Sequence, residues 1–156
     1  MLEIERQAFL STDRFTRRQL SSALRSPNAR TFVCRHRGAC IGYVTGFVTR
    51  LRNGLFKGRV YSIAVLPPWQ RRSAGSELLR AIESWFRRRG VAFVTLETRT
   101  DRHGARPFFL GHGYEEVGVL RGYYITSNGM RMKKRTRPPR ARSRHREDEA
   151  PEIGPA

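Results

Sequence analysis

The segment from Gly58 to Thr98 constrains the fold more than any other part of the chain. It begins with an apolar and β-branched run, Gly58–Leu66, which a double proline ends because proline cannot donate to a strand ladder. After Gly75, apolar residues recur at helical spacing at Leu78, Leu79, Ile82 and Phe86. The mainly apolar run Val91–Thr98 is typical of a strand buried on both faces. The segment therefore predicts a βαβ crossover.

The turn between the first strand and the helix is basic and rich in small residues. Arg71 and Arg72 lie in it, shortly before the predicted start of the helix at Gly75. The first amides of a helix have no intrahelical partner and carry a partial positive charge, so such a turn suits a phosphate-bearing ligand. Basic strand-to-helix loops also occur without a ligand, and the turn alone does not separate these two interpretations.

The rest of the chain adds helices and strands on both sides of this crossover. The predicted order is two helices, three strands, a helix, a strand, a helix and two strands. The further elements are helices at Leu2–Phe9, Arg14–Leu24 and within Arg102–Gly111, strands at Thr31–Arg35, Ile41–Val48 and Glu116–Leu120 with Arg121–Tyr124 as its extension, and a last strand at Met130–Met132. This last strand is predicted to lie at the edge of the sheet. Arg87–Arg89 and Gly90 mark the C-terminus of the crossover helix.

The charge distribution divides the chain into a basic domain and a tail. The 156 residues carry a formal net charge of +18, and residues 1–130 hold 22 Lys or Arg against 9 Asp or Glu. Arg131–Arg146 contains nine basic residues and no acidic one, and four acidic residues follow. Residues 1–134 are therefore predicted to form one domain, and residues 135–156 a disordered tail, first basic and then acidic. A field this positive attracts polyanions such as ribosomal RNA, acidic peptides and nucleotide-bearing cosubstrates.

Several classes of protein are disfavoured. Cys34 and Cys40 lack the spacing of a metal site and are expected to be reduced, structural thiols. The four histidines show no paired-ligand spacing, so no zinc site is expected, and His103 and His112 are expected to lie on the surface. No apolar run approaches the ~20 residues of a membrane span, and the N-terminus does not resemble a secretory signal. A cytoplasmic protein that does not contact a membrane is expected.

The order of elements and the turn together resemble the GNAT superfamily of acyl-CoA-dependent N-acyltransferases. The family motif is Gln or Arg, two residues, Gly, one residue, and Gly or Ala, which Gln70–Gly75 matches except that Ser73 occupies the first glycine position. The resemblance covers roughly residues 1–134 and implies a mixed α/β fold with a central, mostly antiparallel sheet, a βαβ crossover and flanking helices. In the family a strand precedes the first helix, so we expect either a late start or a missing first strand.

The resemblance implies acetyl-CoA as cosubstrate, no metal, and a set of residues that bind the cosubstrate. These are Ile63, Ala64 and Val65 of the strand, Gln70, Arg71, Arg72, Ser73, Ala74, Gly75 and Ser76 of the turn and helix, and Arg102. Arg102 would either reach a phosphate or be solvated. Two outcomes are open for Ser73. A positive φ would cost about 1 to 2 kcal/mol relative to glycine, whereas an extended conformation would let its side chain cap the helix.

The resemblance also implies catalytic residues at the acceptor side. Glu97, at a strand end, corresponds to the carboxylate base of the branch that acts on protein N-termini, such as ribosomal-protein alanine acetyltransferases. In the alternative interpretation, Glu97 only pairs with Arg99 or another nearby arginine. Tyr123 and Tyr124 resemble a tyrosine pair that borders the acceptor site, and ordinary packing is their alternative role.

One departure from the family pattern concerns the general acid. Phe109 occupies the position of a tyrosine that protonates the departing thiolate, and phenylalanine has no proton to give. Tyr114, Tyr123 or Tyr124 are candidate substitutes, although packing is the better interpretation of Tyr114. A thiol with a pKa near ~8.5 is also a tolerable leaving group without help.

These observations predict an acetyl-CoA-dependent N-acetyltransferase whose acceptor is a primary amine, on a protein N-terminus or side chain, attacking the thioester directly. The alternative is a catalytically weak acyl-CoA-binding or RNA-associated module on the same fold, which Ser73, Phe109 and the basic tail would favour. The tail is a candidate for recruiting a ribosome or an acidic partner.

Overall fold

Helices and strands occur in the order that the sequence predicts. A computed structural model describes residues 1–9 and 14–136, so all but the start of the predicted tail lies outside the described residues. The helices are α1 (Leu2–Ala8), α2 (Arg17–Arg25), α3 (Ala74–Arg88) and α4 (Ala105–Gly111), and the strands are β1 (Ala29–His36), β2 (Ala39–Arg50), β3 (Phe56–Val65), β4 (Val91–Arg99), β5 (Glu115–Tyr124) and β6 (Ser127–Arg135). A short 3-10 turn, Pro67–Trp69, follows β3.

The sheet is mixed and mostly antiparallel, as expected, with strand order β1-β2-β3-β4-β6-β5. Only β3 and β4 are parallel neighbours, and α3 connects them in the predicted crossover. The prediction that the last strand lies at the edge is wrong, because β6 pairs with β4 on one side and β5 on the other. Buried Met130 and Met132 alternate with the exposed Arg131, and this pattern suits an interior strand with one open face as well as an edge strand.

The two faces of the sheet are covered differently. α3 packs on one face, where its Leu79, Ile82 and Phe86 are fully buried against Val44 and Val94. On the other face α1 and α2 pack Ile4 and Leu20 against Tyr43 and Ala64. Among the described residues no helix is long and apolar enough to cross a membrane.

A β-bulge in β3 creates an opening in the sheet. Ser62 pairs with Thr45 and Val60 pairs with Gly46, so Tyr61 is an inserted residue without a cross-strand partner. β3 pairs with β4 only from Phe56 to Arg59. Beyond the bulge the two strands separate, since β3 continues to Val65 beside β2 alone and β4 continues to Arg99 beside β6 alone. Local twist at a bulge favours this separation.

Candidate active site

A cavity of about 700 Å³ fills the opening between β3 and β4. It is lined by both separated strands, by the turn before α3, by the start of α4 and by aromatic residues near α1. The residues expected at the site that line it are Ile63, Ala64, Val65, Gln70, Arg71, Ser73, Gly75, Ser76, Glu97, Arg102 and Tyr124. The structure therefore brings most of the expected site residues together.

Backbone amides of β3 face this cavity. The Leu66 amide donates to the Ile41 carbonyl at 2.9 Å, which fixes the alternation of the antiparallel ladder with β2. Ala64, two residues earlier, therefore directs its amide towards Tyr43 in β2, whereas the amides of Ile63 and Val65 point into the opening. Two of the three expected strand amides are thus available to a ligand. Ala64 lines the cavity, but its amide is directed at β2.

The turn before α3 has a strained backbone. Arg71 and Ser73 adopt positive φ values of 58° and 67°, the region that favours glycine. Of the two outcomes open for Ser73, the structure shows the left-handed one, and the Ser73 side chain does not cap the helix. Instead its hydroxyl donates to Glu77 at 3.1 Å. Gln70 anchors the turn by donating from Nε2 to the Val65 carbonyl at 2.9 Å.

Replacing Ser73 by glycine is expected to stabilise the protein by about 1 kcal/mol, because glycine adopts this φ without the clash of a Cβ atom. Urea unfolding measures the change. The matched control is Ser84→Gly within α3, where glycine is expected to destabilise by about 0.5 kcal/mol. A loss of stability in Ser73→Gly would show that the turn is not strained.

Three other residues expected to bind the cosubstrate have contacts outside the turn or lie outside the cavity lining. Arg72 lies outside the cavity lining, with its guanidinium 5.7 Å from the centre of the Trp69 ring. Ala74 is buried in the core rather than at the cavity. Arg102 lines the cavity, but it donates to the Ala8 carbonyl at 2.7 Å and lies over the Phe9 ring. Arg102 is half-buried, and it ties the loop before α4 to α1.

Ser76 has a partner that the sequence did not indicate. His112 Nδ1 lies 2.7 Å from the Phe108 carbonyl, which only accepts, so Nδ1 carries the proton. In neutral His112 the other nitrogen, Nε2, then accepts from the Ser76 hydroxyl at 3.0 Å. The expectation that His112 lies on the surface is wrong, because these contacts hold it half-buried between α3 and α4. His103 is exposed, as expected.

Glu97 lies at the end of the cavity away from the turn, and its side chain is only 7% exposed. Arg59 donates from Nε to Oε2 at 2.9 Å, and Arg131 donates from Nε to Oε1 at 3.3 Å. Burial alone lowers the pKa of Arg59, but the charge and hydrogen bond of Glu97, together with the nearby Tyr123 and Tyr61, outweigh it, and the net shift is upward. Two guanidinium groups thus fix the orientation of the carboxylate. Arg59 contacts Oε2 through both Nε and Nη2, each at 2.9 Å, whereas Oε1, which accepts from Arg131, keeps a lone pair for a water or an amine.

Of the two tyrosines expected at the acceptor side, one lines the cavity and the other lies outside its lining. Tyr124 lines the cavity and donates from its hydroxyl to the Glu97 carbonyl at 3.3 Å. Tyr123 lies outside the lining, where its hydroxyl accepts from Arg59 at 2.9 Å. Phe109 lines the cavity, whereas Tyr114 is 2% exposed and packs in the core. Of the candidate substitutes for the missing acid, Tyr124 alone lines the cavity.

An ion pair between buried Arg99 and exposed Asp101 secures the loop after β4. Arg99 donates two hydrogen bonds of 2.9 Å to Asp101 and a third to Thr126, and so joins this loop to the β5–β6 turn. The hydrogen bonds from Arg99 lower the pKa of Asp101 to about 2. A lowered pKa stabilises the fold above the ordinary value of 3.8, and this contribution is lost as pH falls towards 2. The pair is therefore intact at neutral pH.

Three contributors to the site escaped the sequence analysis. Arg59 holds Glu97, the Phe15 ring stacks on Tyr61 at 4.5 Å as part of the wall, and Glu5 accepts from the Phe15 amide at 2.7 Å. Glu5 is 1% exposed and also accepts from Tyr43. The only sequence signal for Glu5 was an acid on the apolar face of the first helix.

Within the described residues no cluster of His, Cys, Asp or Glu is placed to hold a metal, and Cys34 and Cys40 are free thiols.

A separated parallel strand pair, with free strand amides and a basic helix N-terminus at one end and a carboxylate at the other, is the architecture of an acyltransferase. Residues 1–114 match the Acetyltransferase (GNAT) family, and the chain belongs to that family. It is 34% identical over 126 residues to the N-alpha-acetyltransferase RimI of Mycobacterium tuberculosis, a match that covers 80% of this chain and 77% of that protein. The prediction of an N-acetyltransferase is thereby confirmed.

Other relatives agree. The chain is 33% identical over 75 residues to the ribosomal protein bS18-alanine N-acetyltransferase of Escherichia coli, covering 48% of this chain and 51%, about half, of that protein. The crystal structure of Ard1 from Thermoplasma volcanium has a TM-score of 0.73 at 26% identity, covering 81% of this chain and 83% of that one. Arabidopsis thaliana Naa50, in complex with the bisubstrate analogue CoA-Ac-MVNAL, shares the fold with a TM-score of 0.75 at 17% identity, covering 86% of this chain and 89% of that one.

Proposed function

We propose that this enzyme transfers an acetyl group from acetyl-CoA to the α-amine of a protein N-terminus. The observation that carries the proposal is a single cavity that runs from the strained basic turn, past the free amides of Ile63 and Val65, to the carboxylate of Glu97. The turn and the N-terminus of α3 suit the pyrophosphate of a CoA ester. The resemblance of the chain to acetyltransferases of protein N-termini supports the choice of acceptor.

The cavity orders the reacting groups for direct transfer. The free amide of Ile63 or Val65 donates to the thioester carbonyl and stabilises the negative charge that develops on it. Glu97, directly or through a water, accepts the proton that the acceptor ammonium must lose before its nitrogen attacks. The new C–N bond forms, the C–S bond breaks, and the thiolate departs on the side of the turn. Tyr124 or solvent supplies its proton.

The reaction is proposed to use residues 1–134 as the catalytic domain and to take place in the cytoplasm, where acetyl-CoA and newly made protein N-termini occur together. The basic tail at 135–156 is proposed to recruit the ribosome or an acidic partner, since nine cations without an acid between Arg131 and Arg146 attract polyanions.

Two measurements on the full chain test the proposal. Calorimetry measures acetyl-CoA binding, and mass spectrometry measures acetylation of peptides with free or blocked α-amines. We expect binding together with acetylation that requires a free α-amine. Binding without transfer to any peptide would favour an acyl-CoA-binding module, and modification of lysine in α-blocked peptides would reassign the acceptor to a side chain.

A further inference from the structure

One face of the sheet, beside Glu97, is open and basic. On β3 and β6, Gly58, Val60, Met130 and Met132 lie on the face covered by α3, so the alternate residues lie on the opposite face. There α1 and α2 pack mainly on β3 and β1. The basic residues on this part, which we call the open face, are Lys57, Arg59, Arg131, Lys133 and Arg135.

The open face has an excess of positive charge. Among the residues that the structure describes, two carboxylates accompany its five cations: Glu97, which pairs with Arg59 and Arg131, and Glu115, whose Cα partner is Lys133. Within the described part of the chain, Lys57, Lys133 and Arg135 form no ion pair. The charge of the open face is therefore available to a partner.

The open face begins where the acceptor amine must sit. Arg131 contacts Glu97 and belongs to the same row as Lys133 and Arg135 on β6. The Phe15–Tyr61 stack closes the side towards α1, and the turn belongs to the CoA ester in the proposed function. A polypeptide whose α-amine reaches Glu97 therefore leaves the cavity across the open face.

The spacing of the cations suits an extended peptide. β3 and β6 lie on either side of β4, which places their basic rows roughly 10 Å apart, and side chains two residues apart on one strand are separated by roughly 6.6 Å. Alternate side chains of an extended peptide have the same separation. Carboxylates at alternate positions of such a peptide would each meet a cation.

We propose that the acceptor is a protein N-terminus followed within a few residues by acidic side chains, bound in extended form across the open face. The inference rests on the proposed function and adds the substrate class. A nucleic acid fits less well, because Lys133 covers the Phe93 ring at 4.2 Å and leaves that ring unavailable for stacking on a base.

The experiment compares three peptides that differ only at their second and fourth residues, which are aspartate, asparagine or lysine. The protein is the full chain, and the readout is kcat/KM for α-amine acetylation. For the unaltered enzyme we expect the aspartate peptide to exceed the asparagine peptide by about tenfold and the lysine peptide by more, an effect that weakens with salt.

Removing the cations of the open face tests whether this surface binds the acidic peptide. The variant Lys57→Gln/Lys133→Gln/Arg135→Gln spares Glu97 and its two partners, and we expect it to bring the aspartate-to-asparagine ratio close to one. The matched control, Arg80→Gln/Arg87→Gln/Arg88→Gln on exposed positions of α3, removes the same charge from the other side of the sheet and is expected to keep the ratio.

The outcomes separate the two proposals. Equal use of all three peptides, or a preference for lysine, would overturn the acidic acceptor while leaving N-terminal acetylation in place. Stronger competition by a single-stranded RNA than by the aspartate peptide at equal ionic strength, lost in the open-face variant, would assign the surface to nucleic acid instead. Acetylation of none of the peptides would overturn the proposed function and this inference with it.

Discussion

Replacing Glu97 by glutamine is expected to lower kcat for peptide acetylation by about 100-fold at neutral pH, the contribution typical of a positioned general base. Glutamine keeps the shape of the side chain and one oxygen that accepts from either Arg59 or Arg131, but it cannot take the proton of the acceptor ammonium. The deficit should shrink as pH rises, because an amine that is already neutral does not need the base. Steady-state rates across a range of pH, with acetyl-CoA saturating, measure both effects.

The control separates proton transfer from ion pairing. Glu116→Gln breaks the ion pair with Arg106, 2.7 Å long, on β5 and away from the cavity, and it should leave kcat unchanged. The melting temperature of each variant reports any loss of folding. A Glu97→Gln enzyme as active as the unaltered one at neutral pH would leave Glu97 with ion pairing as its only role.

Replacing Glu5 by alanine is expected to reduce the free energy of unfolding by about 2 to 4 kcal/mol, since it removes the acceptor of several buried donors. The Tyr43 hydroxyl and the Phe15 amide both donate to this carboxylate, and Tyr43 is fully buried. The Tyr43 hydroxyl would keep only Ser62, 3.0 Å away. Because the Phe15 amide is also released, the cavity wall should loosen, and KM for the peptide should rise with the loss of stability.

The same helix offers the matched control. Glu3 in α1 pairs with Arg6 on the surface, where its side chain is 53% exposed. Glu3→Ala is therefore expected to change the free energy of unfolding by less than about 0.5 kcal/mol. Chemical unfolding of both variants gives the comparison. Equal, small effects would show that the Glu5 carboxylate is not a buried anchor.

Local patterns in the sequence were sufficient for the element order and the crossover. The apolar spacing at Leu78, Leu79, Ile82 and Phe86 predicted α3, and all four residues are buried. The residues of the turn at Gln70–Gly75 followed from the family motif. These features depend on neighbours along the chain, which a sequence displays directly.

Long-range pairing set the limits of prediction. The interior position of β6 results from its pairing with β4 and β5, and the residues of β6 alone do not show which strands pair with it. The Arg59–Glu97 contact joins residues on two strands, and His112 meets Ser76 across two helices. The conformation of Ser73 could not be predicted, because a serine is compatible with a positive φ and with an extended backbone. Only the path of the turn decides between them.

The short parallel contact between β3 and β4 joins the two halves of the sheet. The two halves of the sheet are directly paired only at Phe56–Arg59, at one end, and they separate around the cavity at the other. Because the strands diverge from this contact, the angle between them there determines how wide the cavity is at its far end. Gly58 lies at the joint, where an added Cβ would be 3.0 Å from the Phe86 ring. The packing of Phe86 of α3 against Gly58 thus influences the width of the cavity, although neither residue lies in the cavity lining.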